Sequence, residues 1–311
     1  MMPDNKIHDP DETAANILRK NGRSFYFANL FLTKEQSDRA ARLYAFCRYV
    51  DDLADETPDK SDAARKLAHV RKQVETRVAC EGRVTDFLAL ADETGLDLSI
   101  ATALIDGVTS DLGEVAFATE ADLLRYAYRV AGTVGLMMCS LLGVRNDEAY
   151  PFAIDLGVAM QLTNIARDIK EDAENGRRYI PATWVDGASA SRLAGKGPDL
   201  RPTLSRSAAR LIDLADEYYE SAYDGLGYLP PRARFAILIA ARVYRQIGIK
   251  LKRDGFQVWR GRTIVGLAEK VVVSGGASWS YLNTTRLRRP QHAHESRLHV
   301  CLGGLSGANV G

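Results

Sequence analysis

The stretch from Gln161 to Asp172 reads Gln-Leu-Thr-Asn-Ile-Ala-Arg-Asp-Ile-Lys-Glu-Asp, and it restricts the fold more than any other part of the chain. Its apolar residues Leu162, Ile165 and Ile169 recur at steps of three and four, which is the spacing of one face of an α-helix. No segment of the sequence shows sustained alternation of apolar and polar residues with turn residues at its ends, as strands do. The sequence therefore predicts an all-α protein.

A polar face lies beside this apolar face on the same predicted helix. Its two carboxylates, Asp168 and Asp172, are one turn apart, and such a pair destabilises a bare surface helix by roughly 0.2–0.5 kcal/mol. A cation between them would remove the repulsion. A ligand set of oxygens that includes the Asn164 amide suits a hard divalent ion such as Mg²⁺, and Gln161 continues the same face. For one isolated pair, a solvated helix surface is the commoner explanation.

A second stretch, Tyr44–Glu56, repeats the arrangement. Its chemically distinctive side chains are Tyr44, Arg48, Asp51, Asp52 and Asp55. Each of two predicted helices thus has a carboxylate pair with an arginine within a turn, Arg48 in one and Arg167 in the other. If the helices face each other across a cavity, metal ions between them would hold and polarise a diphosphate. The arginines would supply forked donors to its oxygens.

Three segments of the chain resemble the squalene/phytoene synthase family, the head-to-head branch of the trans-isoprenyl diphosphate synthases, in residues, order and spacing: Tyr44–Glu56, Tyr126–Gly135 and Asp155–Pro181. The resemblance covers roughly residues 15–270. It implies a single all-helical domain with the isoprenoid synthase fold, helices around a central cavity, over residues 1–273. Beyond 273 the helical pattern ends, so residues 274–311 are expected to form a disordered or loosely attached tail.

The resemblance also implies roles for individual residues. The catalytic aspartates would be Asp51, Asp52, Asp55, Asp168 and Asp172. Mg²⁺, or alternatively Mn²⁺, would be held by Asp51, Asp55, Asn164, Asp168 and Asp172. Substrate contacts would come from Asn21, Gly22, Arg23, Ser24, Phe25, Tyr44, Arg48, Tyr128, Gln161, Asn164, Arg167, Tyr244 and Arg262. Among these, Phe25 would lie on the pocket wall and Tyr128 near the reacting carbons.

Two glycines, Gly132 and Gly135, lie inside a helix predicted from Thr119 to about Leu142. Each costs on the order of 1 kcal/mol relative to alanine at such a position. Something must therefore approach the backbone closely, and either a neighbouring helix or a ligand would explain it. The family resemblance favours a flexible wall of the prenyl pocket. Further along the chain, Arg177 and Arg178 follow a predicted helix end, where they would complement the helix dipole.

The reaction implied by the resemblance joins two allylic diphosphates head to head through a cyclopropyl diphosphate. Two geranylgeranyl diphosphates would give 15-cis-phytoene, without NADPH, in carotenoid biosynthesis. Two farnesyl diphosphates would give squalene, with NADPH, or dehydrosqualene, without it. The length and the polar N-terminus most resemble the bacterial phytoene-forming members. A non-catalytic helical assembly factor of the same family is a third interpretation, but the complete aspartate sets argue against it.

Composition limits the partners and the compartment. The net charge is +1, and no basic stripe interleaved with aromatic residues is present, so a nucleic-acid partner is not expected. The longest apolar runs, 131–144 and 235–243, fall short of the roughly 20 residues of a membrane span. The polar N-terminus is no signal peptide. We expect a cytoplasmic protein that can associate peripherally with the inner face of the membrane, since its hydrocarbon product must leave into lipid. The sequence specifies no oligomeric state.

Cysteine and histidine usage narrows the chemistry. The four cysteines, Cys47, Cys80, Cys139 and Cys301, are widely separated and indicate reduced thiols, with neither a disulfide framework nor a zinc site. Only five histidines are present, four of them near the termini. A histidine-based triad or a histidine-ligated metal is therefore not expected, and the chemistry is expected to depend on carboxylates, metal ions and aromatic rings.

Overall fold

Thirteen α-helices make up most of the chain that the computed structural model describes, which is residues 12–80, 82–195, 198–290 and 292–308. The helices are α1 Ala14–Asn21, α2 Arg23–Asn29, α3 Lys34–Asp55, α4 Lys60–Thr76, α5 Gly82–Thr94, α6 Leu98–Ser110, α7 Glu120–Ala127, α8 Thr133–Leu142, α9 Tyr150–Glu174, α10 Ala190–Leu193, α11 Arg201–Gly225, α12 Pro231–Arg253 and α13 Leu267–Asn283. Within those described residues, pairing of strand type is limited to one isolated bridge between Ala116 and Arg178. The all-α prediction is confirmed.

Local sequence signals fix where the principal helices begin. α3 opens with a capping box, in which the Thr33 hydroxyl accepts from the Gln36 backbone and the Gln36 side chain returns to Thr33. Thr119 and Asp122 form the same device at the start of α7. Pro151 occupies the first turn of α9, where its missing N–H costs nothing. The start signals at Thr33 and Pro151 thus fix where α3 and α9, the two long helices that contain the aspartate motifs, begin.

α9 is the central element of the larger hydrophobic core. Its apolar face, which includes Leu162, Ile165 and Ile169, is buried against α11 and α12. A second core fills the space among α3, α4, α5 and α6, where the rings of Phe46 and Phe87 stack with centroids 3.8 Å apart. α8 belongs to both cores, and it thereby fixes α3 and α9 relative to each other.

The close approach that the helix glycines require is made by a neighbouring helix. A Cβ on Gly135 would lie 2.1 Å from the Ala153 carbonyl oxygen of α9, and one on Gly157 would lie 2.2 Å from the Ala131 carbonyl oxygen. The backbones of α8 and α9 are therefore in direct contact. Between α7 and α8 the helix widens into a π-helical turn, Tyr128–Gly132, at this crossing.

The expected boundary at residue 273 differs from the structure. α13 passes through it without a break, and the following segment packs onto the helical body. Leu298 and Leu302 are buried, and Arg125 donates to the carbonyl oxygens of Cys301 and Gly303. The apolar residues of this segment are few, and Leu298 and Leu302 lie in a short 3-10 helix, Ser296–Leu302. So short an apolar pattern does not indicate a core element, and its burial depends on tertiary contacts.

No helix within the described ranges combines the length and the apolar character needed to cross a bilayer.

We predict that Gly157→Ala destabilises the protein by about 2–3 kcal/mol, because the new methyl group would overlap a backbone carbonyl that cannot move independently of α8. Gly275→Ala in α13 is the matched control, since no atom lies within 4 Å of the added Cβ. It should leave stability unchanged or raise it by up to about 1 kcal/mol. Urea denaturation followed by circular dichroism measures both variants, and equal stabilities would contradict the proposed contact.

Candidate active site

The C-terminal ends of α3 and α9 meet, and an ion pair joins them. Arg177, just beyond α9, donates from Nη2 to Asp55 Oδ1 of α3 at 2.7 Å. The last turns of α3 and α9 also contain Asp51, Asp168 and Asp172. Because a helix already has partial negative charge at its C-terminal end, the two ends together concentrate negative potential. The structure thus brings the two aspartate motifs together.

The pKa values of these carboxylates are typical of side chains that lie in a cleft. Asp51 is accessible to solvent, yet desolvation by the protein around it, followed by the charge of Asp55, raises its pKa to about 7. Desolvation and the charge of Asp168 raise the pKa of Asp172 to about 7 as well. An accessible carboxylate with so high a pKa lies between protein walls. Without a cation, these groups resist ionisation.

A third carboxylate, Asp111 at the end of α6, belongs to the same cluster. Its charge contributes to the raised pKa of both Asp51 and Asp172, so it lies within electrostatic reach of both motifs. Burial raises its own pKa to about 6, and the Tyr126 hydroxyl donates to its Oδ2 at 2.7 Å. Asp111 is the residue that sequence reasoning missed here, because it lies far from both motifs along the chain. Arg177 was noted only for its position after a helix end, and its ion pair with Asp55 was not predicted.

Arginines neutralise Asp168. Arg167 donates from Nε to Asp168 Oδ1 at 2.8 Å, and Arg262, far along the chain, lies with Nε 3.2 Å from the same oxygen. Half of the Arg262 side chain is exposed. Two guanidinium groups thus border the aspartate cluster, and both have donors that could turn to a phosphate oxygen.

The Asn164 side chain provides a test of whether a cation fits. Its Oδ1 atom is buried and accepts no hydrogen bond from any residue that the structure describes, while its Nδ2 is 3.4 Å from Gln161 Oε1. A buried acceptor left without a partner costs about 1–3 kcal/mol. A divalent ion bound by carboxylate and carbonyl oxygens would satisfy it. The donor set of Asp51, Asp55, Asn164, Asp168 and Asp172 is therefore chemically suited to Mg²⁺ or Mn²⁺.

Aromatic rings from three helices lie beside the cluster. Phe25 of α2 contacts Tyr244 of α12, with ring centroids 5.0 Å apart, and Tyr44 of α3, with centroids 6.2 Å apart. The charges of Arg167 and Arg262 act on Tyr244, whose pKa is nonetheless raised because burial dominates. This aromatic wall therefore reaches the arginines that border Asp168.

The residues around the α1–α2 corner contribute unequally to this wall. Gly22 lies so close to Tyr44 that an added Cβ would be 2.9 Å from the ring. Asn21 and Arg23 are exposed, and Ser24 is half-buried in the first turn of α2. The charge of Arg23, together with burial as the larger cause, lowers the pKa of Lys270 on α13. Lys270 has no acidic partner among the described residues, so two cations lie near each other at this corner. No sequence feature pointed to Lys270.

Two predicted site residues point elsewhere. Asp52 is only 4% exposed and forms an ion pair with Arg48 one turn earlier, away from the accessible Asp51 and Asp55. Asp51, Asp52 and Asp55 lie within about 100° of one another around the helix, so their spacing alone does not separate them. It is the packing around α3 and the ion pair with Arg48 that bury Asp52. Tyr128 is fully buried, and its hydroxyl donates to the Ser306 carbonyl of the C-terminal segment. The structure therefore does not place Tyr128 at the aspartate cluster.

Comparison with solved structures defines the class of fold. A ligand-bound dehydrosqualene synthase superposes with a TM-score of 0.78 at 28% sequence identity, covering 87% of this chain and 95% of that one. The squalene synthase HpnC of Alicyclobacillus acidocaldarius shares the fold with a TM-score of 0.69 at 22% identity, over 78% of this chain and 93% of that one. The protein thus has the all-α isoprenoid synthase fold.

Sequence comparison then gives the family. A 15-cis-phytoene synthase of Enterobacter agglomerans is 38% identical over 88% of this chain and 96% of its own length. One of Pantoea ananas is 36% identical over 90% and 95%, respectively. The sequence model named squalene/phytoene synthase matches residues 18–270. The chain belongs to the squalene/phytoene synthase family, whose enzymes are divalent-metal-dependent transferases acting on isoprenoid diphosphates.

We predict that Asn164→Leu separates stability from metal binding. The metal-free variant should be as stable as the parent or more stable, because an unpartnered buried oxygen is removed. Its affinity for Mg²⁺ should fall at least tenfold, as measured by calorimetry. Thr163→Val on the same helix is the control, since the Thr163 hydroxyl bonds within the core to Ala159 and should not influence Mg²⁺. Unchanged Mg²⁺ affinity in Asn164→Leu would exclude Asn164 as a ligand.

Proposed function

We propose that this protein is a 15-cis-phytoene synthase, which condenses two geranylgeranyl diphosphates head to head through a cyclopropyl (prephytoene) diphosphate, with Mg²⁺. One observation is the main support: the aspartate motifs of α3 and α9 meet around the Asp55–Arg177 ion pair. The names of relatives at 35–38% identity over most of the chain support the particular product.

The proposed metal ligands are the two helix-end carboxylate pairs and the Asn164 oxygen. Mg²⁺, when bound, would draw electron density from a diphosphate and neutralise the charge that develops as the allylic C–O bond breaks. Arg167 and Arg262 are placed to exchange their bonds to Asp168 for bonds to the departing diphosphate. Arg23 and Lys270, two cations without a shared acid, would hold the diphosphate of the second substrate.

The aromatic wall of Phe25, Tyr44 and Tyr244 would line the path of the first prenyl chain. Aromatic faces stabilise a passing carbocation and keep water from quenching it to an alcohol. The second substrate's double bond would capture the cation and close the cyclopropane ring. After the second ionisation and rearrangement, loss of a proton gives phytoene, so no NADPH is required by this route.

A second candidate has support of its own. The structural likeness to a dehydrosqualene synthase, at 28% identity, favours a C30 product from two farnesyl diphosphates. The reaction steps would be the same, and only the length of the pocket would differ.

Incubating the purified protein with Mg²⁺ and either geranylgeranyl or farnesyl diphosphate, with and without NADPH, distinguishes these activities. We expect a C40 triene-centred hydrocarbon from geranylgeranyl diphosphate, independent of NADPH, identified by mass spectrometry. A C30 hydrocarbon as the main product would favour the second candidate instead. Absence of hydrocarbon under every condition would indicate a non-catalytic member of the family.

The same assay tests the aspartates. Asp51→Asn and Asp168→Asn should each reduce turnover by about 100-fold or more, because each removes charge that holds the metal beside the developing diphosphate anion. Asp216→Asn on α11, which disturbs an ion pair with Arg245 of α12, should retain activity. Circular dichroism controls for folding. Full activity in Asp168→Asn would refute the proposed role of the α9 motif.

We also propose peripheral membrane association through α13. Its exposed apolar side chains are Leu267, Val271, Val272, Trp279 and Leu282, and Trp279 alone is 72% exposed. A tryptophan on an amphipathic surface favours the bilayer interface. The basic residues Arg288 and Arg289 follow shortly after the helix and would attract anionic lipid.

Flotation with anionic liposomes tests this surface. The parent protein should float with the vesicles, and the double variant Trp279→Ser, Leu282→Ser should float several-fold less, because apolar area is lost from the contact. Val78→Ser removes an equally exposed apolar side chain near the end of α4 and should leave flotation unchanged. Equal flotation of all three proteins would rule out α13 as the contact.

A further inference from the structure

Three polar side chains meet where the C-terminal segment, residues 292–308, lies against α9. His294 Nε2 is 2.9 Å from Asp155 Oδ2, and His299 Nε2 is 2.8 Å from Asp155 Oδ1. The Asp155 side chain is 0% exposed, and the two imidazoles are about one-tenth exposed. Two histidines that the sequence places in an expected tail thus converge on one buried carboxylate in the middle of a core helix.

The surroundings hold this carboxylate in its anionic form. Burial alone would raise the pKa of Asp155, but hydrogen bonds from His294 and His299 outweigh it and lower the pKa below its usual value. The Ser221 hydroxyl of α11 donates to Oδ2 at 2.5 Å. The ring of Phe152 meets His294 edge to face, with centroids 5.3 Å apart, and limits its rotation. Carboxylate and imidazoles are therefore fixed in direction before anything binds.

The donor set is that of a borderline transition-metal ion. Two imidazole nitrogens with one carboxylate oxygen are typical ligands of Zn²⁺, whereas Mg²⁺ prefers oxygens alone. All three donor atoms lie within 4.8 Å of one another. Bonds of roughly 2.0–2.2 Å in tetrahedral geometry separate ligand atoms by about 3.3 Å. The present nitrogen–oxygen distances of 2.8 and 2.9 Å would then have to open by only about half an ångström.

We propose that Asp155, His294 and His299 bind a divalent ion of the zinc class, which attaches the C-terminal segment to α9. The ion takes the place of the Nε2 protons that now point at the carboxylate, leaving each imidazole neutral with its proton on Nδ1. The Ser221 hydroxyl orients the Asp155 carboxylate by a hydrogen bond and does not bind the ion itself. A fourth position remains for water.

Access and charge both favour a cation at this point. A cavity of about 630 Å³ adjoins the cluster and is bordered by Ser221, Phe152 and Leu298. α11 contributes five carboxylates to its lining: Asp213, Asp216, Glu217, Glu220 and Asp224. Arg245, Arg286 and Arg297 compensate part of this charge. A divalent ion bound by one carboxylate and two neutral imidazoles has a net positive charge. The carboxylates of the cavity that no arginine neutralises would offset this charge.

The site is separate from the aspartate cleft and has a different consequence. Asp155 precedes Asp168 on α9 by thirteen residues, which at 1.5 Å per residue is about 20 Å. An ion there would add a further link to a segment that is also held by hydrogen bonds, such as the one that the Tyr218 hydroxyl donates to the Leu298 carbonyl at 2.8 Å. The expectation that no histidine-ligated metal occurs rested on the small number of histidines and on their position near the termini. Asp155 lies 139 residues before His294, so the sequence does not show that they meet.

Zinc retention measured on the full chain tests this proposal. The protein is equilibrated with Zn²⁺ in excess Mg²⁺, which occupies the aspartate cleft, and the metal content is measured after gel filtration. We expect one Zn²⁺ per chain in the parent and in Asp168→Asn. His294→Ala and His299→Ala should each bind at least about 10–100-fold more weakly. His69→Ala, which removes an exposed histidine on α4, should bind like the parent.

X-ray absorption of the zinc-loaded parent identifies the atoms bound to zinc, so this measurement does not depend on the folding of any variant. Two imidazole ligands with oxygen in the remaining positions would support the site. Oxygen-only coordination, zinc retention by a folded His294→Ala, His299→Ala double variant, or no zinc bound by the parent would each overturn the proposal. Because Asp168→Asn abolishes the proposed turnover and not the zinc site, failure of either proposal is distinguishable from failure of the other.

Discussion

Repulsion between carboxylates at two helix ends is the constraint on which the active-site region depends. α3 and α9 both end in aspartates, where the helix dipole is already negative, and Asp111 adds another carboxylate. Burial, and after it the charge of the neighbouring carboxylates, raises the pKa of Asp51 and of Asp172. Arg177, Arg167 and Arg262 offset it only in part. A chain that concentrates anions in this way has a site for cations, and through them for diphosphate.

The remaining structure holds these helix ends in place. α9 is packed on one side against α8 so closely that the backbones touch at Gly135 and Gly157. On other sides α11 and α12 cover its apolar face. Because the crossing of α8 and α9 is fixed by backbone contact, it cannot adjust as a contact between flexible side chains could. This rigidity fits a site in which several charges must stay at short distances without a metal ion.

Helical spacing alone does not decide which side chains of a motif reach the cleft. Asp51, Asp52 and Asp55 belong to one sequence motif, but Asp52 is turned into the core and paired with Arg48. Tyr128 was placed by resemblance near the reacting carbons, but its hydroxyl is bonded to the C-terminal segment. In both cases the partner is set by the direction of a side chain and by what packs against it.

The sequence by itself determined the helices, the all-α class and the two aspartate faces, because helical periodicity and capping are local properties that neighbouring residues report. It also identified the family through short motifs, because the residues within each motif are close together along the chain. Only the tertiary structure decided that Arg177 and Asp111 join the aspartates, that residues beyond 273 pack onto the body, and that His294 and His299 reach Asp155. Contacts between positions more than a hundred residues apart leave no periodic trace in a single sequence, since they depend on how the helices cross.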